Sequence, residues 1–366
     1  MTGKERMMLA LRRETPDRMP ITIHQWQRYH LREHMGGMDP WEAFASVGLD
    51  AAICDWHAAA LRPDPHWRVS REPIEADPAA EVMRVQTPRG VLTERTRRGE
   101  GTVFVTEHLI KNQNDADMFL EFWPGKTLDR DAVQATYDRT GDAGIVRGHV
   151  ECAHQPGCWQ DFCELVGTQE AILWAVDDPA FVHQFLERLA ERKISHVHEQ
   201  MAGARFDLIE HGGGAGSSSV INPRMFEEFC VAYDRRVIDA LHQEGFAVVY
   251  HTCGGMMAIL DRIAQTGCDA SETLSPPGVG GDIATAEDRR KVKKTLGAGV
   301  ALIGGVDQGL LDTPGAQAEI REQVLACFAS YGPGGGYICS ASDHFFRAPI
   351  ENLRALAAAG AECRYG

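Results

Sequence analysis

The chain has 366 residues, 44% of them hydrophobic, and a formal net charge of −15. That length and composition allow a large buried core, and the acidity argues against a nucleic-acid partner, whose recognition gathers Lys and Arg on one face. No run approaches about 18 consecutive apolar residues, so no membrane span is expected. The first twenty residues show no apolar core followed by a small-residue cleavage site, and the ten cysteines have no framework spacing. Reduced thiols and a cytoplasmic location are therefore the expectation.

In chain order, Met7–Arg13 reads as a short amphipathic helix that stops before Thr15-Pro16, within an N-terminal helical extension covering residues 1–18. Pro20–Trp26 (PITIHQW) alternates and is rich in β-branched residues, which predicts a strand ending at His24 and Trp26. Asp39 before Pro40 predicts a helix start, and Asp50–Trp56 a second strand. The pattern changes over residues 80–108. EVMRVQTPRGVLTERTR predicts an antiparallel hairpin turning at Pro88-Arg89-Gly90, and Thr102–Glu107 a third strand beside it. Lys111–Phe122 and Asp129–Asp138 read as helices.

From Gly144 the beat is regular. Strands are predicted at Gly144–Val150, Phe206–Glu210, Phe246–Tyr250, Cys268–Glu272, Val300–Gly304 and Gly336–Ser340. Between them lie helices with clear starts: Asp178-Pro179, Asn222-Pro223 and Thr313-Pro314 each pair a capping side chain with a first-turn proline. Parallel candidates near residues 21, 52, 146, 208, 248, 270, 302 and 338 make eight β/α units. The expected fold is an α/β (β/α)8 TIM barrel over residues 1–366 as a single domain, with the antiparallel hairpin as an insertion. An open doubly wound sheet is the alternative, weakened by the lack of G-x-G-x-x-G after the first strand.

In such a barrel, side chains just past each strand share one pocket. They are His24 and Trp26; Asp55 and His57; His149 and Glu151; Glu210 and His211; His251 and Cys253; Glu272; Asp307; and Cys339 through His344. His251 and Cys253 follow a buried strand and offer an imidazole and a thiol within one turn, a frequent start of a zinc site. Cys339 and Asp343 share a strand parity, so either is a candidate for the third ligand; Cys339 is equally a small buried core residue. Glu272 is a fourth ligand or a base, and Glu210 and His149 are acid–base candidates. His24, Trp26, His211 and His344 are candidate substrate contacts. The run HGGGAGSSS after Glu210 suits a loop that moves over substrate. Neither it nor YGPGGGYI has the Lys-Ser/Thr of a phosphate loop.

Several segments together resemble the uroporphyrinogen decarboxylase superfamily: TPRGVLTE with EHLIKNQNDAD, VINPRMFEEF, YHTCGG, ETLSPPGVGGD, LIGGVDQ, and GPGGGYICSASDHFF with ENLRAL. The resemblance implies a (β/α)8 barrel and two functional branches. One is the cofactor-free decarboxylases of uroporphyrinogen. The other is zinc-dependent methyltransferases that move methyl groups between a corrinoid on a partner protein and a small thiol, methyl ether or amine-type molecule. The decarboxylases carry an Arg-rich, Gly-containing stretch after the first strand, where this chain has HQWQRYHLREHM. The methyltransferases use His-x-Cys, matched by His251 and Cys253, and a Cys at the end of the last strand. In register that last position falls on Asp343, so either Asp343 replaces a thiolate or Cys339 reaches the metal from deeper in the barrel. The reading is a Zn2+ methyltransferase with a corrinoid partner, cytoplasmic and a homodimer on base rate alone. The competitors are a metal-free decarboxylase and a non-catalytic ligand-binding barrel.

Overall fold

The structure is a computed structural model that describes residues 1–55, 58–99, 101–150 and 154–366. Eight parallel strands form one sheet: β1 (Ile21–Thr22), β2 (Ala51–Cys54), β3 (Gly144–His149), β4 (Leu208–Gly212), β5 (Val248–His251), β6 (Ala270–Thr273), β7 (Ala301–Val306) and β8 (Tyr337–Ala341). The order is β1-β8-β7-β6-β5-β4-β3-β2, each strand paired in parallel with its neighbour. The Asp50 N–H, just before β2, donates to the Ile21 carbonyl of β1 at 2.9 Å and brings the two ends of the sheet together. With helices outside, this is the (β/α)8 barrel that the strand count predicts. All eight predicted strand positions are occupied. β1 is shorter than PITIHQW suggests, because the chain leaves the ladder after Thr22.

The strands form where short β-branched and apolar runs are covered on both faces, and β3, β4, β5, β6, β7 and β8 are buried along their whole length. Two of the three proline-marked starts hold; at Thr313-Pro314 the helix begins only at Gln317 without a side-chain cap, because Thr313 ends the short helix Gln308–Asp312. Asp39 and Glu42 form a reciprocal capping box on helix Pro40–Val47, Asp178 caps Pro179–His196, and Asn222 caps the helix that opens at Pro223. No helix among the described residues is long and apolar enough to cross a membrane.

The insertion is larger than the predicted hairpin at 80–108. It is a four-stranded antiparallel sheet of Arg68–Ile74, Asp77–Thr87, Gly90–Arg98 and Val103–Glu107. Thr87 pairs with Gly90 across the predicted Pro88-Arg89 turn. The first strand escapes pattern reading because RVSREPI lies almost entirely in solvent and has no core-facing alternation. A further short pair, Ala59–Leu61 with Lys126–Leu128, ties the insertion to the barrel. After the third strand the chain turns at Gly101, where an added Cβ would lie 3.7 Å from Tyr29 and 3.5 Å from Phe346 at the barrel mouth.

Two buried charges brace the loop after β3. Lys193 Nζ donates to Asp161 at 2.8 Å and to the Gln155 carbonyl at 2.6 Å, while Asp161 accepts the N–H groups of His154 and Gln155. Both side chains are 0% exposed. Removing one partner leaves an uncompensated buried charge, so Lys193→Met should lower unfolding free energy by about 3–5 kcal/mol. Urea denaturation checks this through a lower midpoint at unchanged slope.

Candidate active site

A cavity of about 1000 Å³ opens at the carboxyl ends of the strands. His24, His149, Glu210, His251, Cys253 and Asp343 line it. The ladder register explains this convergence. Glu210 lies opposite His149 in β3, and His251 lies opposite Glu272 in β6, so side chains on the inner face stand in adjacent rows.

Beneath the cavity Arg147 is almost fully buried. Its Nη2 donates to Glu210 Oε2 at 2.9 Å and to Glu272 Oε1 at 2.7 Å, and its Nη1 lies 3.5 Å from His24 Nδ1. Glu272 Oε1 also lies 3.1 Å from His251 Nδ1, and its Oε2 lies 3.7 Å from His24 Nδ1. Burial alone would push the Glu272 carboxyl up, but Arg147, His24 and His251 hold it well below the usual range. Burial alone would likewise lower His251; Cys253, Glu272 and Glu210 instead raise it well above an ordinary histidine.

Two donor groups meet at His251. On the cavity side, His251, Cys253 and Asp343 each offer a ligand atom within 4.8 Å of the others. On the barrel side, His24, Glu210, His251 and Glu272 do the same. Cys253 is held in place from both sides. Thr252 N–H donates to the Glu272 carbonyl, Gly213 N–H donates to the His251 carbonyl, and a Cβ at Gly214 would stand 2.5 Å from Cys253 Sγ. Glycine at 214 is what lets the backbone approach the thiol.

That contact revises the reading of HGGGAGSSS as a moving loop. Ala215 N–H donates to Gln160 Oε1 at 2.7 Å, Trp159 Nε1 donates to the Ala215 carbonyl at 3.0 Å, and Ala215 and Gly216 are buried. The segment is a packed wall of the site.

The predicted site residues divide by face. His24, Trp26, His149, Glu210, His251, Cys253, Asp343 and His344 all line the cavity. Trp26 packs edge-on against Phe44 and Phe345. His344 has Gln27 Nε2 at 2.9 Å from Nδ1 and Gln25 Nε2 at 3.3 Å from Nε2. Glu272 lies just below, engaged by Arg147 and His251. Cys339 does not reach the site. It is fully buried with Tyr337, Cys327 and Cys363 on the helix side of β8, where burial raises its thiol. The shared parity with Asp343 does not hold because β8 ends at Ala341, and the N–H and hydroxyl of Ser342 both bond the Val306 carbonyl at the end of the ladder. His211 also faces outward. Its Nε2 lies 3.1 Å from Asp234, which also accepts from Tyr250 Oη and the Cys158 N–H. Strand alternation that turns Glu210 inward turns His211 to the helices. His57 and Glu151 lie outside the described residues.

Arg147 is the residue that pattern reading passed over. Its signal is a charge inside the apolar strand GIVRGHV, at the same parity as His149. Gln25 and Gln27 carried no such signal, since a glutamine beside a strand end is common on any surface.

A barrel with titratable side chains gathered at the carboxyl ends of its strands is the architecture of a barrel enzyme. The uroporphyrinogen decarboxylase (URO-D) family profile matches residues 150–363, more than half of the chain, and the chain belongs to this family. It is 26% identical over 353 residues to the uroporphyrinogen decarboxylase of Hydrogenovibrio crunogenus, covering 91% of this chain and 89% of that protein. It is 33% identical over 168 residues to that of Edwardsiella ictaluri, where the match spans 44% of this chain and less than half, 43%, of the relative. Among solved structures, a methyltransferase from Methanosarcina mazei shares the fold with a TM-score of 0.65, at 18% identity and 99% coverage of both chains.

The outward pair gives a test of its structural role. His211 helps hold Asp234 below the ordinary carboxylate range against its burial. That stabilisation is present above the ordinary Asp pKa of about 4 and is lost as pH falls through the depressed native value. His211→Leu should cost about 1.5–3 kcal/mol, as for a hydrogen bond to a charged group, and raise the pH of acid unfolding. Circular dichroism against pH reads the shift.

Proposed function

We propose that this protein is a zinc-dependent methyltransferase that moves a methyl group between a small donor or acceptor and a corrinoid on a partner protein. The observation that carries the reading is the convergence of His251, Cys253 and Asp343 on the cavity wall. Imidazole, thiolate and carboxylate are all zinc ligands, and three protein ligands beside a cavity suit a catalytic site that keeps a position for substrate. Glu272 engages His251 Nδ1, which leaves Nε2 as the ring atom for the metal; a carboxylate behind a histidine ligand is the usual outer-shell arrangement. The resemblance to the methyltransferase branch, with Asp343 where that branch has a cysteine, supports the same assignment.

When bound, zinc would hold a thiol as its thiolate or polarise the oxygen of a methyl ether. The chain does the rest. Glu272 is committed to Arg147 and His251 and orients the imidazole. Glu210 and His149 stand side by side at the cavity and take the acid–base role. Trp26, Tyr29 and Trp41 add apolar surface to the cavity lining. The mouth, where the Gly101 turn meets Tyr29 and Phe346, is where a corrinoid-bearing partner would dock.

The curated relatives are named for decarboxylation of uroporphyrinogen, a polycarboxylate. Here Arg28 is the single arginine among the described lining residues, beside Asp55, Glu210 and Asp343. That balance of charge suits a small substrate at a metal better than a ring of carboxylates.

Elemental analysis should find about one zinc per chain. His251→Ala, Cys253→Ser and Asp343→Asn should each lower it, and Cys339→Ala should leave it intact. Methyl transfer is then assayed with methylated corrinoid against thiols and methyl ethers. A metal-free protein that decarboxylates uroporphyrinogen would overturn the reading.

A further inference from the structure

His251 belongs to two donor groups, with Nδ1 towards the inner carboxylates and Nε2 left for the outer donors. The inner group of His24, Glu210, His251 and Glu272 has four donors against three in the outer group, and all four are buried. By donor count it is the stronger cage. It holds two carboxylates and no thiol, a set that suits harder cations than the thiolate-containing outer group does. An ion seated there would take up His251 through Nδ1.

The guanidinium of Arg147 already engages that cage. Its Nη2 donates to both carboxylates, at 2.9 Å to Glu210 and 2.7 Å to Glu272, and its Nη1 lies 3.5 Å from His24 Nδ1. Three of the four cage residues therefore meet one planar cation that cannot lose its proton in a protein. It takes up one oxygen of each carboxylate, and its charge opposes a dication beside it. With Glu272 fixed, Oε1 faces His251 Nδ1 at 3.1 Å, and Nε2 is the ring nitrogen left to the outer donors.

We propose that Arg147 is a positioning residue that acts as the built-in cation of the inner cage, closing it to metal and committing His251 to the thiolate-containing outer site. This rests on the zinc reading above. It adds that the choice of zinc over a harder cation is set by a residue that touches neither metal nor substrate.

The test uses the full chain, freed of metal and titrated with Co2+, whose thiolate ligation gives a near-ultraviolet charge-transfer band. Wild type should bind about one Co2+ per chain with the band present and with Cys253 protected from iodoacetamide. Arg147→Met should still bind one Co2+, now in the inner cage, with the band lost and Cys253 open to alkylation. The zinc affinity of the outer donors should fall by about 10- to 100-fold, as for other outer-shell changes. Arg147→Lys, which keeps a cation in place, should retain the band. If Arg147→Met does not fold, as judged by circular dichroism, Arg147→Gln removes the cation and keeps all four cage donors; the same readouts apply. A folded variant that keeps the band, or binds no Co2+, overturns the role of Arg147 while leaving the zinc reading standing. A wild type that shows no band overturns both.

Discussion

One arginine inside the barrel sets the arrangement of everything above it. Arg147 is held on β3 with carboxylates on two other strands, β4 and β6, and a histidine past β1 within reach. Burying these charges carries a large desolvation penalty, and their mutual attraction offsets it only while the geometry is kept. The cluster is therefore rigid by necessity. His251 inherits that rigidity through Glu272, and the cavity wall is built on His251.

The outer layer of the barrel repeats the device with other residues. Asp234 ties β4, β5 and the loop after β3 together through His211, Tyr250 and the Cys158 N–H. Lys193 and Asp161 tie the same loop to the long helix Pro179–His196. Each is a buried charge with several hydrogen bonds, placed behind a strand whose inner face carries a site residue. The inner residues are thus fixed by backbone supports that never face the cavity. Precise placement of functional groups needs such support from behind.

The cavity combines a group of candidate metal ligands with aromatic lining residues. His251, Cys253 and Asp343 share its lining with Trp26, Tyr29 and Trp41. Such a site offers a small reacting group both polar donors and apolar surface. The insertion contributes at the mouth through Gly101, against Tyr29 and Phe346. A barrel core and a peripheral sheet, separate in sequence, thereby share one opening.

Much of this was legible in the chain itself. Period-two and fully apolar runs, capping boxes and first-turn prolines depend on neighbours in sequence, so the eight strands and most helices could be placed from it. His251 and Cys253 were legible for the same reason, as polar residues just past a buried strand. What depended on the third dimension was which way each residue faces. His211 and Cys339 turn to the helices because inward and outward alternate along β4 and β8, and no local signal records the starting phase. Asp343 reaches the site because the chain turns after Ala341. Arg147 joins Glu210, Glu272 and His24 only once β1, β3, β4 and β6 stand around one axis, and that contact between distant residues is a property of the closed barrel alone.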